Sequence, residues 1–349
     1  MADRIRAVLR WETALVVLLV AVAVVGSVRT DGTFLSGGNL FYLGLDIAEI
    51  ALIALPLTLV IAAAEIDLSV ASVLGLSSAL IGWLWTAGWP LETILPVVVL
   101  VGAACGALNG LLVTRLGLPS LAVTIGTMAL FRGLALVVLG DTAVADFPAS
   151  YTQFGTTPVP GTNLPYPILL FAVLAVVFAV LLHASSFGRA VFAVGANEEA
   201  ARFSGVRVKR TKLVLFVLTG AVAALAGIVY TFRFSSARAD NGTGLELAVV
   251  AAVLLGGVSI FGGRGTLGGV VAGVLLLGSL RNLLILDDVS TEVLTVVTGL
   301  LLLVSVLVPA VGRRLGRRVD NSRLGRRVDN SRLGRRAGRR AATSAAGPP

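Results

Sequence analysis

Charge is scarce in this chain, and cysteine and histidine are nearly absent. Asp, Glu, Lys and Arg make up 13% of its 349 residues, against about 25% in an ordinary soluble domain. Cys105 stands alone, which excludes an intrachain disulfide and leaves a small packing residue in a helix. With His183 the single histidine, no Cys/His set can hold zinc. The pattern G-x-x-x-x-G-K-[ST] does not occur, so the chain lacks the phosphate loop of an ATPase. No catalytic residue, metal site or cofactor is assigned, and the chain is not expected to be an enzyme by itself.

Apolar residues are what it has. They fill 56% of positions, and the mean hydropathy is +0.95. A membrane-crossing helix needs about 20 mostly apolar residues, and about ten such segments follow one another along the chain. They lie near 12–28, 40–64, 69–86, 93–115, 119–140, 166–183, 213–232, 245–260, 266–284 and 290–309. The expected fold is an all-α polytopic membrane protein. Arg4, Arg6 and Arg10 precede the first segment, as in a signal peptide, but no small-x-small cleavage site follows, so it is read as a retained helix.

Lys and Arg collect in cytoplasmic loops. Arg4, Arg6 and Arg10 therefore place the N-terminus inside, and alternation over the segments brings Arg115, the cluster from Arg189 to Lys212, Arg264 and the Arg-rich end of the chain inside as well. Asp141, Asp146, Asp287 and Asp288 fall outside; Arg233 and Arg238 are exceptions to the rule. A multi-pass plasma-membrane protein with both termini cytoplasmic is the expectation.

From Val311 onward stand 12 Arg against Asp320 and Asp329, which leaves 16 basic and 17 acidic residues for the rest. The pI near 10.9 thus reports a tail, and nucleic-acid binding is not implied. LGRRVDNSR repeats from Leu315 and Leu324, and a third copy begins at Leu333. Such a segment cannot bury a core; residues 311–349 read as a disordered cytoplasmic tail held near anionic lipid by charge.

Three polar features interrupt the apolar chain. The segment 184–212 contains FGRAVFAVGANEEAARFSGVRVKRTK, whose EEAA core, Gly195, Gly205 and six Lys/Arg suit a short helix that docks on another protein at the membrane surface. The connection Asp141 to Pro165 carries Pro148, Pro158, Pro160, Pro165, Gly155 and Gly161, chemistry that favours a structured loop over a helix; it either helps close the outer mouth, meets an external partner or is a passive connector. Within the spans, polar groups are costly and are candidates to line a solute path: Asp46 and Glu49 on one face of the second segment, Glu65, Asp67 and Ser69 at a break after it, and Asn109 and Arg132 deeper. Asp67 or Ser69 can instead cap the next helix, and Arg132 can instead pair with an acid. Gly102, Gly106 and Gly110, and again Gly265, Gly269 and Gly273, stand four apart and read as close helix packing. The pairs Gly256-Gly257 and Gly262-Gly263 mark a candidate hinge.

Four segments in order carry a family resemblance. LPLTLVIAAAEIDLSVASVLGLSS from Leu55 is similar to the GIDLSVGS signature of membrane permeases from sugar-importing ATP-binding-cassette systems of the ribose, xylose, rhamnose and autoinducer-2 type. GALNGLLVTRLGLPSLAVTIGTMALFRGLA from Gly106, the loop from Phe187 and GTGLELAVVAAVLLGGVSIFGGRGTLGG from Gly242 follow. Ala64-Glu65 stands where the pattern usually has Gly-Gly, and Ala71 where it often has Gly. The resemblance implies a type II importer permease domain over 40–310, preceded by a cytoplasmic N-terminus and first helix in 1–39. It implies a second permease subunit, identical or related, an extracytoplasmic sugar-binding protein that delivers a monosaccharide-like solute, and a cytoplasmic ATPase. It also implies that Gly188, Arg189, Gly195, Asn197, Glu198, Ala200, Ala201, Arg202 and Gly205 form the ATPase-coupling element. The rival expectation is an ion-coupled secondary transporter with Asp46, Glu49 and Glu246 as the relay; it has no need of a coupling-type loop.

Overall fold

The computed structural model describes residues 2–290, 292–301, 303 and 307, with side chains from Trp11 onward. The chain divides into a unit Met1–Leu302 and a unit Leu303–Pro349. The expected tail 311–349 and the end of the last predicted segment lie outside the described residues.

The described part of the first unit is helical. Its elements are α1 (Ala2–Arg29), α2 (Gly37–Ala62), α3 (Val70–Thr86), α4 (Leu91–Leu116), α5 (Ser120–Leu139), α6 (Ala149–Thr156), α7 (Tyr166–Ala179), α8 (Ser186–Ala196), α9 (Glu198–Phe203), α10 (Val208–Arg233), α11 (Leu245–Leu255), α12 (Leu267–Leu286) and α13 (Glu292–Leu301). A 3-10 turn, Thr33–Leu35, precedes α2, and a π turn, Val180–Ala184, ends α7. Among the described residues, seven helices are long and apolar enough to cross a membrane: α1 from Trp11, α2, α4, α5, α7 with its π turn, α10 and α12. The predicted segments 69–86, 245–260 and 290–309 are represented by the shorter apolar helices α3, α11 and α13. α11 ends early because Gly256 and Gly257 turn the chain, Gly257 at φ +88°.

Polar side chains set several starts. Ser36 accepts from Asn39 N at the start of α2, Ser185 from Gly188 N at α8, Asn197 from Ala200 N at α9 and Thr266 from Gly269 N at α12. Each satisfies one of the amide donors a helix leaves free at its N-terminus.

α2 is the centre of the protein. In its most apolar stretch 94% of residues are buried, against 11% in α1; a helix apolar all round belongs inside, and α1 lies at the periphery. α10, α12, α7 and α11 surround α2, while α3 packs on α5 and α10. α4 and α10 make the most extensive helix pair. A methyl group at Gly102 would lie 2.5 Å from Gly220 O and one at Gly106 only 2.0 Å from Phe216 O, so the two backbones touch where Gly alone fits. Two of the three glycines of the second stripe behave alike: Gly269 and Gly273 of α12 meet Gly256, just after α11, and Ala252 of α11, whereas Gly265 lies ahead of α12 against Val258. α1 lies along α12 and is fastened by Trp11, whose Nε1 donates to Leu255 O at 3.0 Å.

The connection 141–165 is structured, but it also contains a helix, α6, which the proline-rich sequence did not suggest. The prolines delimit α6 rather than break it: Pro148 is its N-cap residue, and Pro158 follows it and bridges to Pro165. Gly155 of α6 lets it approach the backbone of Arg233 at the end of α10, and Phe147 and Tyr151 rest on Phe232.

Candidate functional site

α10 runs from Val208 to Arg233, and a charged cluster sits near each of its ends. At the N-terminal end, Lys212 is buried to 11% side-chain exposure between two carboxylates. Its Nζ lies 2.5 Å from Glu65 Oε1, in the break after α2, and donates to Glu198 Oε2 of α9 at 2.6 Å. One ammonium therefore ties the short polar helix to the break. Glu198, about half exposed, remains reachable from outside, whereas Glu65 is not.

The break itself, 63–69, is held from every side. Ile66 N donates to Ser120 Oγ and Ile66 O accepts from Thr124 Oγ1, both on α5. Ala62 O accepts from Gly263 N at 2.8 Å, in the connection between α11 and α12. A methyl at Gly195 of α8 would fall 1.9 Å from Ala62 O and 2.6 Å from Gly263 N, so this glycine allows three segments to meet. Ala64 adopts φ +63°, a left-handed backbone where the family pattern has glycine.

Asp67, Ser69 and Asn109 form the buried polar centre of the break. Asp67 Oδ1 accepts from both Ser69 N (2.9 Å) and Ser69 Oγ (2.6 Å), and Asn109 Nδ2 donates to Ser69 Oγ at 2.8 Å. The side chain of Ser69 makes no cap for α3; Asp67 instead closes a turn on the Ser69 amide. Burial pushes the Asp67 carboxyl up to about 6, opposed by the two Ser69 hydrogen bonds. Asn109 Oδ1 is buried with no hydrogen-bond partner among the described residues.

The other candidates fall elsewhere. Asp46 and Glu49 lie at the opposite end of α2, where Arg233 pairs with both, at 3.1 Å to Glu49 Oε2, while its guanidinium rests over Phe234. The basic exception of the sequence thus pairs with two of the three acids proposed as an ion relay. Arg132 forms no ion pair with an acid among the described residues, and its hydrogen bonds go to backbone: Nη1 donates to Ala239 O and Asn241 O, both at 2.9 Å, and Nη2 to Ala71 O. Gly75 makes room for it, since a methyl there would lie 2.5 Å from Nη1.

The polar segment folds as two helices, α8 and α9, with Asn197 between them. Gly188 and Gly195 are buried in α8 and Ala201 in α9, while Arg189, Ala200 and Arg202 are exposed. Gly205 ends α9 at φ +84°, and its amide closes the turn on Arg202 O. Phe203 stands 82% exposed beside them. Of the hinge candidates, Gly256 packs on Val270, Gly257 lies under the Trp11 ring, and Gly262 and Gly263 meet Ala64 and Ala196. Sequence reasoning did not place Lys212, Arg233 or Phe203 among the candidate site residues. Lys212 is one of two lysines in the chain, a compositional hint, but its two partners are far apart in sequence.

Residues 39–306 match the family described as branched-chain amino acid transport system / permease component. The autoinducer 2 import system permease protein LsrD of Yersinia enterocolitica is 36% identical over 304 residues, which is 85% of this chain and 91% of the relative. The protein of the same name from Klebsiella pneumoniae is 35% identical over 306 residues, 86% of this chain and 91% of its own. No solved structure matches the chain. The chain belongs to this family of transport-system permeases, in its sugar-type ATP-binding-cassette branch.

Proposed function

We propose that this chain is the membrane permease subunit of an importer for a monosaccharide-like solute of the rhamnose, ribose, xylose or autoinducer-2 class. The solute is delivered by an extracytoplasmic binding protein and moved by a separate cytoplasmic ATPase, with a second permease subunit alongside. The Lys212 end of α10 is then cytoplasmic and the Arg233 end external, as the distribution of Lys and Arg requires.

The observation that carries the reading is the link from Glu198 through Lys212 to Glu65. α9 offers the partner an exposed Phe203 flanked by Ala200 and Arg202, an aromatic anchor beside a small residue and a guanidinium. When the ATPase dimer closes on ATP, α8 and α9 move with it. Lys212 carries that movement to Glu65, and Gly195 carries it to Ala62, both at the break beside Asp67, Ser69 and Asn109. The balance between inward-open and outward-open packings shifts by the difference in contact energy. A change from 1:99 to 99:1 requires about 5.5 kcal/mol. The Gly256-Gly257 and Gly262-Gly263 connection abuts the same break and serves as the hinge.

The test is to replace Glu198 with Arg, or Gly205 with Leu, and to measure solute uptake together with ATPase co-purification. Uptake should be lost while the chain still inserts. Unchanged uptake with unchanged ATPase binding would remove α9 from the coupling path.

A further inference from the structure

At the Arg233 end a cavity of about 210 Å³ opens between α2, α10, α11 and α12. It is below the range of about 300–1,000 Å³ typical of drug-sized ligand pockets. Only a small solute fits. Its lining includes an aliphatic set, Ile50, Val274 and Leu277, together with Asp46, Glu49 and Arg233 from α2 and α10 and Arg281 and Asn282 from α12.

The charges in the cavity are unevenly engaged. Arg233 is shared by Asp46 and Glu49 and rests on Phe234. Asn282 is occupied in a reciprocal amide pair with Asn39, at 2.8 and 3.0 Å. Arg281 lines the same space, half-buried, and makes no hydrogen bond or ion pair with the described residues. Two carboxylates face two guanidiniums, so the cavity as a whole is balanced, yet one five-donor group has no acceptor among the described residues. A net ion finds no complementary field there. A neutral molecule with several hydroxyl or carbonyl oxygens can accept from Arg281, donate to the half-exposed Asp46 carboxylate and lay its C–H face on the aliphatic lining.

We propose that this cavity is a transient binding site for a small neutral polyhydroxylated solute, with Arg281 as its free donor. The inference rests on the reading of the chain as a solute permease and names the side chains that receive the solute at its Arg233 end.

The test uses the full chain, assembled with its ATPase, its second permease subunit and its binding protein in membrane vesicles, in a Cys105→Ala, Ile285→Cys background. Ile285 lines the cavity and is 48% exposed, so its thiol reports occupancy through the rate of maleimide labelling. D-ribose, D-xylose, L-rhamnose and autoinducer-2 are the neutral probes, and gluconate is the charged control. At least one neutral probe should slow labelling, and gluconate should not. Arg281→Ala should weaken protection about tenfold in the concentration required, the equivalent of about 1.4 kcal/mol, and Arg281→Lys should restore part of it. Accumulation of the same probes is measured in parallel. Accumulation without protection overturns the proposal alone, as does protection by gluconate in preference to the neutral probes. Absence of both overturns it together with the permease reading.

Discussion

Lys212 Nζ lies 2.5 Å from Glu65 Oε1, which joins the first turns of α10 to the break that follows α2. The same ammonium bonds Glu198 in the exposed helix α9. Neither contact works as surface decoration, because Lys212 is nearly enclosed, and an enclosed ammonium keeps its place only while its acceptors do.

Replacing Lys212 with Ala should therefore uncouple α9 from the break. A hydrogen bond to a charged group is worth about 1.5–3 kcal/mol, so uptake at equal membrane expression should fall by at least about tenfold. Lys212→Arg should retain part of the activity. Equal uptake in the Ala variant would mean that α9 acts on the bundle through α8 alone.

Ala64 occupies a left-handed backbone conformation that disfavours a side chain. That conformation costs a non-glycine residue about 1–2 kcal/mol, and glycine gives back about 0.4–1 kcal/mol of it through the greater freedom of the unfolded chain. Ala64→Gly should accordingly raise stability by about 0.5–1 kcal/mol. Thermal unfolding of the purified chain in detergent measures it. A lower transition temperature would show that the Ala64 methyl against Gly262 contributes more than the backbone loses.

The α4–α10 contact gives an internal control. Gly106→Ala drives a methyl into Phe216 O and should cost about 1–3 kcal/mol through forced separation. Gly126→Ala, with open space around the new methyl, should be neutral or stabilise by up to about 1 kcal/mol. The two variants differ by one methyl each and are compared by the same unfolding curve. Equal behaviour would contradict the close approach of the two helices.

Arg132 holds Ala239 and Asn241 by their carbonyls. Arg132→Leu leaves these oxygens without that donor, and hydrogen exchange in 237–244 should accelerate by about tenfold or more, from the loss of about 1–3 kcal/mol per stranded group. Exchange in α9, at the far end of α10, should not change. Acceleration in both places would point to general destabilisation.

Deleting residues 311–349 should leave uptake near normal and weaken binding to anionic vesicles, with the difference disappearing as salt is raised over a Debye length of about 10 Å at 0.1 M. Loss of uptake at unchanged expression would make the tail part of the transport machine.

Much of the fold was written in the chain itself. Apolar runs of helical length, too long and too uncharged for a soluble domain, dictate spanning helices, because only a helix satisfies every backbone group within one segment in lipid. The glycine stripe 102-106-110, and two of the three members of the stripe 265-269-273, announced close packing, since nothing but a missing side chain permits it, although the sequence did not say that the partners would be α10 and α11. Order and spacing of four motifs also made the family legible. What the sequence left undecided are relations between residues distant along the chain. Asp46 and Glu49 read as free polar groups until Arg233, 184 residues beyond Glu49, came to rest between them. Arg132 read either as a path-lining residue or as an ion-pair member, and the Ala239 and Asn241 carbonyls it bonds lie in the loop after α10, out of reach of any sequence pattern. Lys212 read as one basic residue among six until folding enclosed it between Glu65 and Glu198. Periodicity and composition act over a helix turn or a span, so they fix elements; which charges meet depends on how the elements cross, and only the packed structure decides that.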